Sequence, residues 1–144
     1  MSAALDVNVL LYASDAKSPF HGKALNLLED LGAGPDLVYL FWPVIMGYLR
    51  IATHPAIFQK PLSPKVATTN IHKLLQKPHV RTPSEDERFW DLYGSVASET
   101  VVRGNLVSDA HLAALMRQHG VETIWTHDKD FKKFSQIRVR DPFA

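Results

Sequence analysis

Cysteine is absent from the 144 residues, which excludes disulfides and thiolate metal sites and fits a reducing compartment. An excess of one charge is missing too: 16 Lys and Arg against 15 Asp and Glu leave a formal net charge of +1, so no global field selects a polyanionic partner or rules one out. The sequence has no apolar run of membrane length, no basic leader and no small-residue cleavage site before its first apolar segment, and it reads as a cytoplasmic protein without membrane association. Internal repeats, low-complexity tracts and long linkers are lacking. Residues 1–144 therefore read as a single domain, long enough to bury a substantial core. The H-E-x-x-H zinc spacing, a nucleophile elbow and a phosphate-cradling glycine loop are missing as well, which removes three common routes to hydrolysis.

What is present is an alternation of apolar runs and amphipathic segments, punctuated by proline and glycine. The nearly continuous apolar run Ala3–Tyr12 predicts a first strand buried on both faces. A helix follows over Phe20–Leu31, with Ser18 as N-cap, Pro19 in the first turn and Gly32 as its stop. Leu37–Phe41 predicts a second strand, and Pro43 opens a helix that His54-Pro55 closes. Ser63-Pro64 starts another helix, which stops near Pro78. The Ser84…Glu87 pair predicts a capping box ahead of a helix burying Phe89, Leu92, Tyr93 and Val96. A helix over Val107–His119 ends at Gly120, and Glu122–Thr126 and Ile137–Arg140 predict closing strands. Strands separated by helices imply a three-layer α/β/α sandwich with a mostly parallel central sheet.

In such a sheet ligands bind beyond the carboxyl ends of the strands, and three carboxylates are placed to reach that edge. Asp6 lies in the first strand among Ala, Leu and Val, where a charge is costly unless it is compensated. Asp109 falls in the first turn of its helix if Ser108 caps it, and Asp128 follows the strand that ends near Thr126. Asp6, Asp109 and Asp128 are thus the candidate catalytic and metal-binding residues. Hard oxygen donors without thiolates favour Mg²⁺ or Mn²⁺. Asn8, two residues from Asp6 in a strand, would share its side and tether a carboxylate or a metal-bound water. Asp130 is placed to cap a short turn over Phe131–Phe134. His111 and His127 flank the acids. Arg50, Arg103, Lys129 and Lys132 are the candidate contacts for a phosphate backbone, the two lysines within a basic cluster that also holds Lys133, Arg138 and Arg140.

Taken together, Asp6-Val7-Asn8, Gly104-Asn105-Leu106-Val107-Ser108-Asp109-Ala110 and Thr126-His127-Asp128-Lys129-Asp130-Phe131 resemble the PIN domain, in particular the VapC toxins of bacterial toxin–antitoxin pairs. Tyr48–Pro55 and Pro61–Pro64 extend the likeness over nearly the whole chain. The resemblance implies a PIN-like fold and a metal-dependent endoribonuclease that leaves 5′-phosphate and 3′-hydroxyl ends. It also implies a homodimer inhibited by a cognate VapB-like antitoxin. By position it carries the first, third and fourth family acids to Asp6, Asp109 and Asp128, with Asn8, Ser108, Thr126 and Asp130 as accessory residues. The second family acid, a glutamate, aligns with Met46 or Ile45, neither of which binds Mg²⁺. This departure leaves open a catalytically weak nuclease fold that binds RNA or a partner. The Asp-x-Asn opening leaves open a haloacid-dehalogenase-like phosphatase with Asp6 as nucleophile.

Overall fold

The computed structural model describes all 144 residues. Its centre is a five-stranded sheet in the order β3-β2-β1-β4-β5, with every pair parallel. The strands are short: β1 is Ser2–Leu5, β2 Leu37–Tyr39, β3 Val80–Arg81, β4 Thr123–Trp125 and β5 Arg138–Arg140. The helices are α1 (Val7–Ala13), α2 (His21–Gly32), α3 (Trp42–Ala52), α4 (Pro64–Leu75), α5 (Phe89–Ala97) and α6 (Leu106–Gln118). The chain adds strands outward from β1 to β3, then crosses back to place β4 on the other side of β1. Right-handed crossovers put α1–α4 on one face and α5 and α6 on the other, which is the expected α/β/α sandwich. The connections that leave β1 and β4 run in opposite directions, towards β2 and β5, and a crevice opens between the two strands at their carboxyl ends.

One core cluster of 27 buried residues joins sheet and helices. Tyr48, Phe41, Phe131 and Leu115 are among its largest fully buried side chains. α3 contributes Val44, Ile45, Tyr48 and Ala52, the face expected from helical spacing except for Leu49, which is half-buried. Ser63 caps α4 by accepting from the Val66 N–H at 3.1 Å, with Pro64 in the first turn. Gly120, at φ +68°, follows α6 in the left-handed conformation that glycine adopts without strain.

Four local expectations are corrected. The first strand stops at Leu5, and Val7–Ala13 is a helix, not a continuation of the strand. A nearly continuous apolar run has no periodicity to separate the two, and the switch is made by Asp6, whose carboxylate caps α1 through the Val7 N–H at 2.7 Å. The Ser84…Glu87 capping box does not form. α5 begins only at Phe89, without a side-chain cap, and the turn before it is held by Asp86, which accepts from the Arg88 N–H at 2.8 Å. Ser18 accepts from the Phe20 N–H at 3.1 Å in the turn before α2, whose N-cap is Phe20. The two-residue β3, paired with β2, lies where no strand was expected, because two residues carry no readable alternation.

Candidate active site

The crevice is organised by the ends of β1 and β4. Asp6, directly after β1, is 7 % exposed. Its N–H extends the β1–β4 pairing by donating to the Trp125 carbonyl at 3.1 Å. One carboxylate oxygen caps α1. The other accepts from the Thr126 hydroxyl at 2.7 Å and, at 3.4 Å, from the Asn8 amide. Thr126 is fully buried, and its oxygen also accepts from Asn8 Nδ2 at 3.1 Å and from the Asp128 N–H at 2.9 Å. Asn8 Oδ1 in turn accepts from the His127 N–H at 3.2 Å. Asn8 therefore bridges Asp6, Thr126 and the His127 N–H, from the first turn of α1 and not from a strand. Burial pushes the Asp6 carboxyl above its ordinary range; the Thr126 and Val7 hydrogen bonds pull it back, and the Asp128 charge adds to the rise.

Asp109 enters from the first turn of α6. That helix starts at Leu106 with Asn105 at its N-cap, so Ser108 lies inside the first turn and is not the cap. Its position relative to Asp109 still brings both to the wall of the cleft. Asp128 takes the capping role assigned to Asp130: its Oδ1 accepts from the Asp130 N–H at 2.9 Å and starts a 3-10 turn over Lys129–Lys133. A carboxylate caps best one residue ahead of the turn it closes, and the turn begins earlier than its phenylalanines suggest. Asp130 is thereby freed to face the other acids. Oxygens of Asp109, Asp128 and Asp130 lie within 4.8 Å of one another. Burial and the Asp128, Asp6 and Asp130 charges push the Asp109 carboxyl up to about 7. Such a crowd of hard oxygen donors, balanced only at its outer edge by Lys133, suits a divalent metal.

An open cleft of about 510 Å³ leads to the acids. Asp109, Ser108 and His111 form its α6 wall, and Met46, Gly47 and Arg50 form the α3 wall. Of the two positions aligned with the family glutamate, Met46 faces this cleft and is 58 % exposed, while Ile45 is in the core. A thioether is a poor ligand for a hard cation. Arg50 is therefore the one expected RNA contact that stands on the cleft wall. Lys129 and Lys132 project from the exposed 3-10 turn, and Arg103 lies in the loop before α6, outside that wall. Lys133 pairs with Asp130 at 3.3 Å, and Arg140 stacks over Trp125 at 4.4 Å. His111 contacts Glu85 at 2.8 Å. His127 contacts Asp141 at 2.9 Å, a partner fourteen residues on that no motif singled out.

The PIN domain family model matches residues 3–137. Ribonuclease VapC48 of Mycobacterium tuberculosis is 55% identical over 144 residues, covering 100% of this chain and 99% of that relative. The chain belongs to the PIN-domain family of VapC ribonucleases. Ribonuclease VapC37 of the same species is 32% identical across 97% of this chain and 96% of its own length. Among solved structures, this VapC-family fold superimposes on VapBC2 of Rickettsia felis bound to a promoter DNA fragment, with a TM-score of 0.71 at 16% identity and 98% coverage of both chains. It also superimposes on M. tuberculosis VapC20, a toxin that cleaves the sarcin-ricin loop, with a TM-score of 0.66 at 19% identity, covering 94% of this chain and 98% of that one. Family membership displaces the haloacid-dehalogenase alternative. In agreement, both oxygens of Asp6 are engaged by donors, an arrangement suited to holding a carboxylate in place.

Proposed function

We propose that this VapC-family chain is an endoribonuclease toxin in which Asp6, Asp109 and Asp128 hold Mg²⁺ or Mn²⁺, with Asp130 as the adjacent oxygen donor. The observation that carries this reading is the Asp109 carboxyl. It is surrounded by carboxylates and driven up to about 7, a state that a bound cation would reverse. When bound, the cation supplies a Lewis acid for the phosphodiester oxygens and lowers the pKa of a coordinated water. Asp6, buried and held by Thr126 and Val7, keeps one carboxylate in register. Asp109 and Asp128 close the site from α6 and from the β4 end. Arg50, on the facing wall, is suited to pair with a nonbridging phosphate oxygen. Lys129, Lys132 and Arg103 would follow the backbone farther out, at longer range and with strong dependence on salt.

Residues 1–144 act as one domain in this reading, in the cytoplasm, as a homodimer controlled by a VapB-like antitoxin. VapBC assemblies among the structural neighbours support the antitoxin. No helix is long and apolar enough to cross a membrane. The test is RNA cleavage by purified protein with Mg²⁺ or Mn²⁺ and with EDTA, followed by sequencing of the 5′-phosphorylated ends. Cleavage that persists in excess chelator would overturn the metal assignment. Met46 on the cleft wall favours one second reading, a weak nuclease that acts by binding RNA. Tight RNA binding with no metal-dependent product would support it.

A further inference from the structure

The loop that carries Asp128 leaves the sheet at Thr126 and is gripped from both sides. On the inner side Thr126 Oγ1 holds the Asp128 N–H and Asn8 Oδ1 holds the His127 N–H. On the outer side the grip comes from a segment outside the acidic cluster. β5 pairs with β4 up to Arg140, whose carbonyl accepts from the Thr126 N–H at 3.0 Å, so the residues after Arg140 emerge beside the same loop. Asp141 Oδ2 lies 2.9 Å from His127 Nδ1, while its Oδ1 accepts from the Phe143 N–H at 2.9 Å. That turn aims Phe143 back at α1. The ring is 7 % exposed. It stacks on Phe20 at 4.8 Å and meets Tyr12 and His127 edge-on at 5.1 and 5.5 Å. His127 completes the group at 5.0 Å from Phe20. One carboxylate and one aromatic ring thus fasten the residue immediately before Asp128.

We propose that Asp141 and Phe143 are positioning residues that act through His127 to hold the Asp128 carboxylate in the metal-binding orientation. The inference rests on the proposed metal site. A chain segment beyond a last strand is ordinarily free to fray, and this one is tied by a hydrogen bond and by aromatic packing at the place where a carboxylate must be aimed. Loss of groups that orient a metal ligand costs roughly 10- to 100-fold in affinity. Acting one residue further away, Asp141 and Phe143 are expected to be worth roughly 3- to 10-fold, below that range.

The experiment is a Mn²⁺ titration, read by electron paramagnetic resonance, of wild type, Asp141→Asn, Phe143→Ala, His127→Ala and the double variant Asp141→Asn/His127→Ala. Amide exchange at Asp128 and Asp130 is measured in EDTA on the same proteins. Asp141→Asn and Phe143→Ala should each weaken Mn²⁺ binding and speed exchange at both amides. The double variant should be no weaker than His127→Ala, because Asp141 works through that ring. Unchanged affinity and exchange in both single variants, or full additivity in the double, would overturn the proposal. If Phe143→Ala does not fold, Asp141→Asn decides, since it is isosteric and keeps an oxygen for the Phe143 N–H. A wild type that binds no Mn²⁺ would overturn the metal reading instead, and the exchange arm would still decide whether this segment holds the loop.

Discussion

Asp6 and Asp109 carry the same charge into the same crevice, yet their surroundings are opposite. Asp6 meets donors: the Val7 N–H at 2.7 Å, the Thr126 hydroxyl at 2.7 Å and the Asn8 amide at 3.4 Å. Asp109 meets other acids, with Asp128, Asp6 and Asp130 all raising its pKa. The first carboxylate is held by hydrogen bonds that offset part of its desolvation. For the second, burial and the neighbouring carboxylates all act in one direction, upward. If these acids hold a metal as proposed, one of them supplies position and the others supply demand for positive charge.

Neutralising each acid tests that division most sharply. Asp6→Asn, Asp109→Asn and Asp128→Asn should each cut RNA cleavage by more than the ~10- to 100-fold that loss of a group behind a metal ligand costs. Their apoproteins should differ. Asp109→Asn relieves repulsion and should melt higher than wild type in EDTA, whereas Asp6→Asn trades a buried acceptor for an amide facing the Thr126 hydroxyl and should melt lower. Parallel shifts in the two melting curves would dissolve the distinction.

Thr126→Val comes next, because it removes three hydrogen bonds around a fully buried oxygen. It should destabilise the fold by about 1–3 kcal/mol, the usual cost of leaving a buried polar group unsatisfied, as read by urea denaturation. It should also lower activity by loosening Asp128. An equally stable, fully active variant would mean that the network is incidental.

A smaller effect is expected from pH. Asp109 titrates near 7 in the folded protein, above its ordinary 3.8, so between those values the native state binds more protons than the unfolded chain. Stability of the apoprotein from this group should therefore fall as pH rises from about 4 to about 7. The carboxyls held low, those of Glu85, Asp86, Glu99 and Asp141, act below that window and with the opposite sign. Melting curves in EDTA should show the decline in wild type and a flatter profile in Asp109→Asn.

Asp130→Asn should be the mildest change. Asp130 is 50 % exposed and shares its charge with Lys133, and its N–H bond to Asp128 is untouched by the substitution. Most cleavage activity should survive. An inactive Asp130→Asn beside an active Asp128→Asn would reverse their roles, and the close approach of all three oxygens makes that comparison worth measuring by metal affinity as well as by rate.

The alternation of elements was readable because amphipathic helices and proline or glycine stops are local signals: Ser63-Pro64 begins a helix wherever it sits. Asp6, Asp109 and Asp128 stood out because charge in an apolar frame needs a reason. Local patterns failed where the deciding contact is remote or the segment is too short. The switch from strand to helix at Asp6 depends on a side-chain cap inside a nearly continuous apolar run. β3 exists only because β2 offers it hydrogen bonds. Asp141 has no motif, and its meaning comes from lying beside His127.

The sequence by itself determined most of the alternation of elements, the family and which acids are candidates for the chemistry, since hydrophobic spacing and residue type are properties of the chain. Only the tertiary structure decided which carboxylates share a wall, that Met46 and not Ile45 faces the cleft, and that Asp128 rather than Asp130 caps the turn. It also decided that donors hold Asp6 while acids crowd Asp109. The physical reason is that desolvation and repulsion depend on distances between residues more than a hundred positions apart, and those distances are set by the parallel register of β1 against β4.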